Sequence, residues 1–255
     1  KVTITGENFG TDPSDISVSF NGTPAEFELV DESTIVATTP ADYQTGSVTV
    51  TIHGYTMTGG AMFNPNSKGD VTVLYLQNYK QPFAKANDES WKNGEWWTPA
   101  VWNQNAASFN AKGNTTVSGM QYKSEEGLTL AFQNGWDKEA YTNGKMWQVA
   151  TLRPGKYRLE VTYAYTLVVT DAGNFISVLI AKGDSESDIP NVADLEQLNG
   201  VYVAYDKMGT ANDSGTLVTP SFEVTETTDV VIGFLTSLAK GNSYFKVTEL
   251  KLILE

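Results

Sequence analysis

From Gly155 onward, apolar side chains fall on every second residue. Tyr157, Leu159, Val161 and Tyr163 alternate with Lys156, Arg158, Glu160 and Thr162. Successive side chains of a strand point to opposite faces, so this run is a strand with one face buried and one in water. Shorter runs of the same kind recur along the chain, cut by Gly, Pro, Asn and Ser, while helical windows rich in Ala, Glu, Leu and Lys are almost absent. That pattern restricts the chain to an all-β architecture.

Taken in order, Val2 and Ile4 alternate with polar neighbours before GENFG turns the chain. Ile16, Val18 and Phe20 run into Asn21-Gly22, a strong two-residue hairpin signal. Ile35 and Ala37 lead to Pro40, which closes that strand, and Val48, Val50 and Ile52 alternate again. Residues 1–66 therefore read as a small β-sandwich, with MFNPNSKGD (62–70) as the junction. VTVLYLQ (71–77) reads as a strand. From 112 onward the strands follow closely, with a long acidic connection at 184–200 that has room for a helical turn around 192–198. In the last strand Phe245 and Val247 share one phase while Leu250, Leu252 and Leu254 share the other, which predicts a β-bulge near Glu249. Residues 67–255 read as a two-sheet jelly roll.

Composition narrows the partners. The net charge is −13, from 17 basic and 30 acidic residues, so phosphate backbones and anionic membranes are repelled and nucleic acid is not expected. Neutral partners such as glycans remain open. There are no cysteines, which excludes disulfides, thiolate metal sites and a thiol nucleophile. No run approaches the roughly 18 apolar residues that span a bilayer. The first residues read as the middle of a strand, so the sequence is expected to begin downstream of processed or trimmed residues.

All six tryptophans lie between positions 91 and 147, four of them in DESWKNGEWWTPAVWNQN among Asn, Gln, Gly and Pro. This stretch has neither strand nor helix period. Trp96 and Trp97 are adjacent, so on an extended chain they cannot both enter one core. The reading is a displayed aromatic surface. Indoles supply flat, rigid faces for the C–H side of a pyranose, and amides read its hydroxyls. The candidate sugar-binding residues are Trp91, Trp96, Trp97 and Trp102 with Asn93, Asn103 and Gln104. Against this stands the alternative that the indoles pack under a loop or seal a domain interface. Trp136 and Trp147, beside or within strands, are expected to serve the core.

Catalysis is not expected. His53 is the only histidine and has no Ser or Asp arrangement around it, which removes triad chemistry and histidine-based metal sites. Glu95, Asp137 and Glu139 lie near the aromatics and keep glycoside hydrolysis as a third reading.

The pieces ITGENFG (4–10), VSFNGTPA (18–25), STIVATTPA (33–41) and TGSVTVTI (45–52) resemble, in order and spacing, the immunoglobulin-like IPT/TIG domain. Some IPT/TIG modules contact DNA. This one carries one basic residue, Lys1, against eight acidic ones, so a spacer or packing role is expected. GWDKEAYTNGKMWQVATLRPGKYRLEV (135–161) resembles the strand–turn–strand of galactose-binding-like jelly rolls, its Gln148, Leu152, Gly155 and Tyr157 matching the recurring pattern. With the closing FKVTELKLI (245–253), the second segment resembles an uncharacterised domain found behind IPT/TIG modules in surface glycan-binding lipoproteins of Bacteroidota. The resemblance implies an all-β chain: an immunoglobulin-like domain (1–66) followed by a galactose-binding-like jelly roll (67–255). It also implies polysaccharide or oligosaccharide binding at the cell surface as an outer-membrane lipoprotein, alongside other glycan-uptake proteins of polysaccharide utilisation. No cofactor is expected beyond a structural Ca²⁺ near the last strand, for which Glu249 is the one candidate ligand and a solvent-facing glutamate the alternative.

Overall fold

A computed structural model gives the architecture and describes residues 1–41, 43–62, 64, 68–91, 94–110, 116–135, 140–170, 173–239 and 241–255. The chain divides into two compact units, one built on Lys1–Leu74 and the other on Tyr75–Ile253. That division falls a few residues beyond the boundary expected after position 66.

The first unit is a small immunoglobulin-like sandwich. Thr34–Ala37 lies between Val2–Thr5 and Phe27–Asp31 in one sheet; Thr23–Ala25, Ile16–Phe20, Gly46–Ile52 and Tyr55–Met62 form the other. Phe9, Val18, Phe20 and Ile35 are the centre of its core. Asn21 and Gly22 have φ of 46° and 84°, the double left-handed turn that a two-residue hairpin requires. Gly6 is dictated by close approach, since a Cβ there would lie 2.5 Å from the Phe9 ring. Farther on, the run read as a strand at 71–77 instead begins with a helical turn, Thr72–Tyr75. The Asp70 carboxylate accepts from the Thr72 N–H at 3.0 Å and from its hydroxyl, which starts a helix locally despite the β-branched residues.

The second unit is a jelly-roll β-sandwich. Its smaller sheet has the order Asn103–Gln104, Tyr141–Leu152, Thr228–Leu238, Phe175–Lys182 and Gly200–Ala204. Its larger sheet runs Asp213–Val218, Gly155–Thr166, Ser243–Leu254, Gly127–Asn134, Thr116–Lys123 and Trp96–Trp97. The inner faces meet through rings such as Phe132 and Phe234, whose centroids are 4.8 Å apart. Burying such side chains supplies the main driving force, ~1.5–3 kcal/mol for each large one.

The motif residues have fold roles. Gln148 clasps the backbone of Gln77, accepting its N–H at 3.1 Å and donating to its carbonyl at 2.6 Å. The Tyr157 hydroxyl donates to the Arg153 carbonyl across the turn. In the last strand the change of phase falls at Thr248 and Glu249, both half-buried. There the neighbour changes from Gly127–Asn134 to residues 79–81, with Gln81 N–H bonded to the Thr248 carbonyl and Leu250 N–H to Tyr79.

The outer face of the smaller sheet is covered by the acidic connection, which forms the short helices Glu186–Asp188 and Val192–Gln197. Ile189 and Leu195 pack there against Trp147, Leu179, Val231 and Leu235.

Candidate functional site

The tryptophan-rich segment is an irregular hairpin on the edge of the larger sheet. Ala86 N–H bonds to the Thr98 carbonyl, Ala100 N–H to Ala84, and Trp91 N–H to Trp96. Trp97 pairs with Met120 and Trp96 with Gln121 of the edge strand. Adjacent residues face opposite ways, and this divides the predicted set.

Trp97 turns inward and is buried, its ring 4.0 Å from the Lys85 ammonium. Trp102 is also buried, its indole N–H donating to the Asn78 carbonyl at 3.0 Å and its ring 5.9 Å from Phe234. Gln104 turns its amide inward, toward the Ser108 hydroxyl and the Ser118 carbonyl. Asn103 is exposed, but it pairs with Trp147 on the smaller sheet. Asn93 lies outside the described residues, as do Trp136, Asp137 and Glu139. The expected display of four indoles with three amides is therefore corrected. Trp97 serves the interior because a hairpin added to a sheet edge must send alternate side chains into the sandwich, and Gln104, opposite buried Met146 on the smaller sheet, and Trp102, beside Phe234, turn inward as well.

Trp91 and Trp96 remain together on the outer face of the larger sheet, ring centroids 5.5 Å apart. Trp96 is only 1% exposed, whereas Trp91 is half-buried. Small residues make the shelf beneath them. Trp96 packs on Ala131, and Ala131 pairs with Gly119. A Cβ on Gly119 would lie 3.8 Å from the Trp91 ring and 2.9 Å from the Trp97 carbonyl, at a φ of 151°. Ser90 holds the hairpin shut, its hydroxyl donating to the Trp96 carbonyl and accepting from Gly94 N–H.

Beside the indoles runs a row of polar side chains. Trp96 pairs with Gln121, and Gln121 pairs with Thr129, so the three share one face. Gln121 is 3% exposed and Thr129 is fully buried. Among the described residues, neither Gln121 Oε1 nor Thr129 Oγ1 has a hydrogen-bond partner. Two ion pairs border them: Glu95 with Lys123 at 3.1 Å, half-exposed, and Glu126 with Lys246, buried. Burial pushes the Lys246 ammonium below the usual lysine range, and the Glu126 carboxylate opposes that shift. Gln121 and Thr129 were missed in the sequence because their strands announce a face but not what folds over it.

Of the three carboxylates named for the hydrolase reading, Glu95 is described and pairs with Lys123, while Asp137 and Glu139 lie outside the described residues. His53, in the first unit, stands in a two-residue turn at φ 48° with Asp15 3.3 Å away. Among the described residues no group of three His, Cys, Asp or Glu could hold a metal ion. Glu249, the expected calcium ligand, faces the Lys251 ammonium at 3.4 Å. A cavity of about 480 Å³ in the first unit lies beside Val48, Val50 and Met57 with Glu7 as its one charged side chain, a poor match to a hydroxyl-rich ligand.

The fold and the outer-face site define a two-module β-sandwich protein whose larger module carries an aromatic and amide-bearing sheet surface. Residues 77–233, more than half of the chain, match the family described as Domain of unknown function (DUF5013), and the chain belongs to that family. Residues 1–67 match the IPT/TIG domain. No curated protein matches. Among solved structures the chain is similar to TmCBM61 in complex with beta-1,4-galactotriose, at 12% identity over 71% of this chain and 100% of that one, TM-score 0.36. It is similar to a Stig cyclase from Fischerella sp. TAU, at 12% identity over 71% and 98%, TM-score 0.41. It is also similar to SGBP-B from a complex xyloglucan utilization locus in Bacteroides uniformis, at 13% identity over 99% and 68%, TM-score 0.30. At such scores these are likenesses of general build, and function rests on the residues of this chain.

Proposed function

We propose that the protein binds glycans without catalysis, at the outer face of the larger sheet, with the IPT/TIG module as a spacer from a cell surface. The observation that carries this reading is the pairing of a part-exposed indole, Trp91 stacked on Trp96, with buried polar atoms that meet no partner among the described residues. Apolar rings beside hydroxyl-reading groups are what a pyranose requires. Trp91 is the stacking residue, Trp96 its support, and the Glu95–Lys123 pair the polar rim. A shallow site of this kind binds weakly alone, and retention on a polymer comes from repeated engagement along one chain. Attachment as an outer-membrane lipoprotein beside other glycan-uptake proteins fits this role and belongs to the same proposal.

Affinity electrophoresis in gels containing β-galactan, xylan or xyloglucan tests it. Trp91→Ala should lose at least ten-fold of the retardation of the parent protein while its Tm falls by only a few degrees. Full retention by that variant would sink the assignment to this face.

The burial of Trp96, Trp97 and Trp102 favours a second reading, a structural or adhesive protein whose indoles only seal the sandwich. Iodide quenching separates the two, since a glycan that covers Trp91 should reduce quenching on titration and a purely structural indole set should not respond.

A further inference from the structure

Resting on the sugar-binding reading, we infer that Gln121 and Thr129 are the polar floor of that site, and that the sugar they select is neutral with adjacent ring hydroxyls. Buried polar atoms are almost always satisfied, and one that is not has a specific reason to be so. Here two such atoms are directly paired across neighbouring strands, on the face that carries Trp91 and Trp96. Trp97 Nε1 and Gln104 Oε1 are also unpartnered, but on residues turned into the sandwich; Gln121 and Thr129 are cross-strand neighbours on an outer face, where an outside partner can complete them.

The chemistry of the two atoms specifies the ligand. Gln121 Oε1 is an acceptor only, so its partner must donate. The Thr129 hydroxyl donates or accepts. Two adjacent sugar hydroxyls satisfy both, one donating to Gln121 and the other accepting from Thr129. A uronic carboxylate has no proton to give Gln121. Among the described residues of this face, Lys123 and Lys246 are already held by Glu95 and Glu126. The −13 charge of the chain acts in the same direction.

Both atoms are closed from solvent, so binding there requires a bordering side chain to move, and the Glu95–Lys123 pair is the more exposed of the two ion pairs on this face. Lys123 lies two residues along the strand from Gln121 and so shares its face. Its side chain is 40% exposed and that of its partner Glu95 is 43% exposed. This pair can open without breaking a buried ion pair, unlike Glu126 with Lys246, whose side chains are 18% and 6% exposed.

Near-isosteric substitutions test the assignment on the whole chain, with Thr129→Val and Gln121→Met as the variants, Thr129→Ser as the hydroxyl-keeping control and Trp91→Ala as the reference. Each is run on gels of β-galactan, xylan, xyloglucan and polygalacturonate, with a thermal melt alongside. The parent should be retarded by a neutral polymer and not by polygalacturonate. Thr129→Val and Gln121→Met should weaken retardation about 3- to 10-fold, the worth of one hydrogen bond. Their Tm should hold or rise by about 2–4 °C, because a buried unpaired polar atom has been removed. Thr129→Ser should bind as the parent does. If the two variants bind fully while Trp91→Ala does not, the floor is wrong and the sugar-binding face stands. If their Tm falls and binding is unchanged, the two atoms hold an internal water, and the inference is overturned. Retardation by polygalacturonate overturns the neutral specificity, and retardation by none of the polymers overturns both readings.

Discussion

The second unit presents two outer sheet faces made from the same kinds of residue, and they solve opposite problems. The face of the smaller sheet has Trp147, Asn105, Lys145 and Glu186. There the connection at 184–200 covers the sheet, and the polar groups close on one another. Asn105 Oδ1 accepts from the Ser108 and Lys145 N–H groups at 3.0 Å each, and its amide donates to the Asn143 carbonyl and to Glu186. The Lys145 ammonium reaches the Glu186 carbonyl at 3.4 Å. The face of the larger sheet has Trp91, Trp96, Gln121, Lys246 and Glu126, yet Gln121 Oε1 and Thr129 Oγ1 meet no partner among the described residues. Residue type does not separate the covered face from the face proposed to bind sugar; between these two outer faces the difference lies in whether the buried hydrogen bonds are completed.

The largest effect on the covered face is expected at Trp147. It is 8% exposed and packs on Leu179, Val231 and Leu235, so Trp147→Ala should cost about 3–5 kcal/mol in denaturant unfolding. A loss below that, matching Trp91→Ala, would make the two faces equivalent. Next comes Asn105→Ala, which strands the buried Ser108 and Lys145 N–H groups and takes a donor from the Asn143 carbonyl; a cost of about 2–3 kcal/mol is expected. The corresponding change on the other face, Gln121→Met, should cost nothing, and hydrogen exchange of the two faces sharpens that contrast. A smaller effect is expected from acid. The Ser185 hydroxyl and N–H and the Asp184 N–H hold the Asp188 carboxyl below its ordinary value of 3.8. A carboxyl with a depressed folded pKa stabilises the fold above its unfolded value, and that contribution is lost as pH falls through the folded one. Tryptophan emission followed from pH 5 to below 3 should therefore report loosening of the 184–200 connection, and Asp188→Asn should remove that step. An unchanged profile in the variant would assign the acid response elsewhere.

Much of the fold was legible because sheet geometry is written in alternation. The strand at 155–166, the hairpin at Asn21-Gly22, the helical turn near 192–198 and the phase change at Glu249 are local facts of residue order and turn chemistry. The helical turn at Thr72–Tyr75 was not legible, since Val and Leu there favour a strand and only the Asp70 side chain tips the balance. The candidate site was legible in part. The alternation of Gly119 and Gln121 with Ser118 and Met120 marks an outer and an inner face, but the partners across the face come from strands distant in the chain.

The amino-acid order by itself determined that this chain is two β-sandwiches, that it is acidic and cysteine-free, and that its indoles are gathered in one segment. Only the tertiary structure decided which indoles face out. A hairpin laid on a sheet edge inherits its facing from the register of the strand it joins: Trp96 opposite Gln121 turns outward, and Trp97 opposite Met120 turns in. Register is set by contacts between distant segments, and no count of residues along the 91–102 stretch contains it.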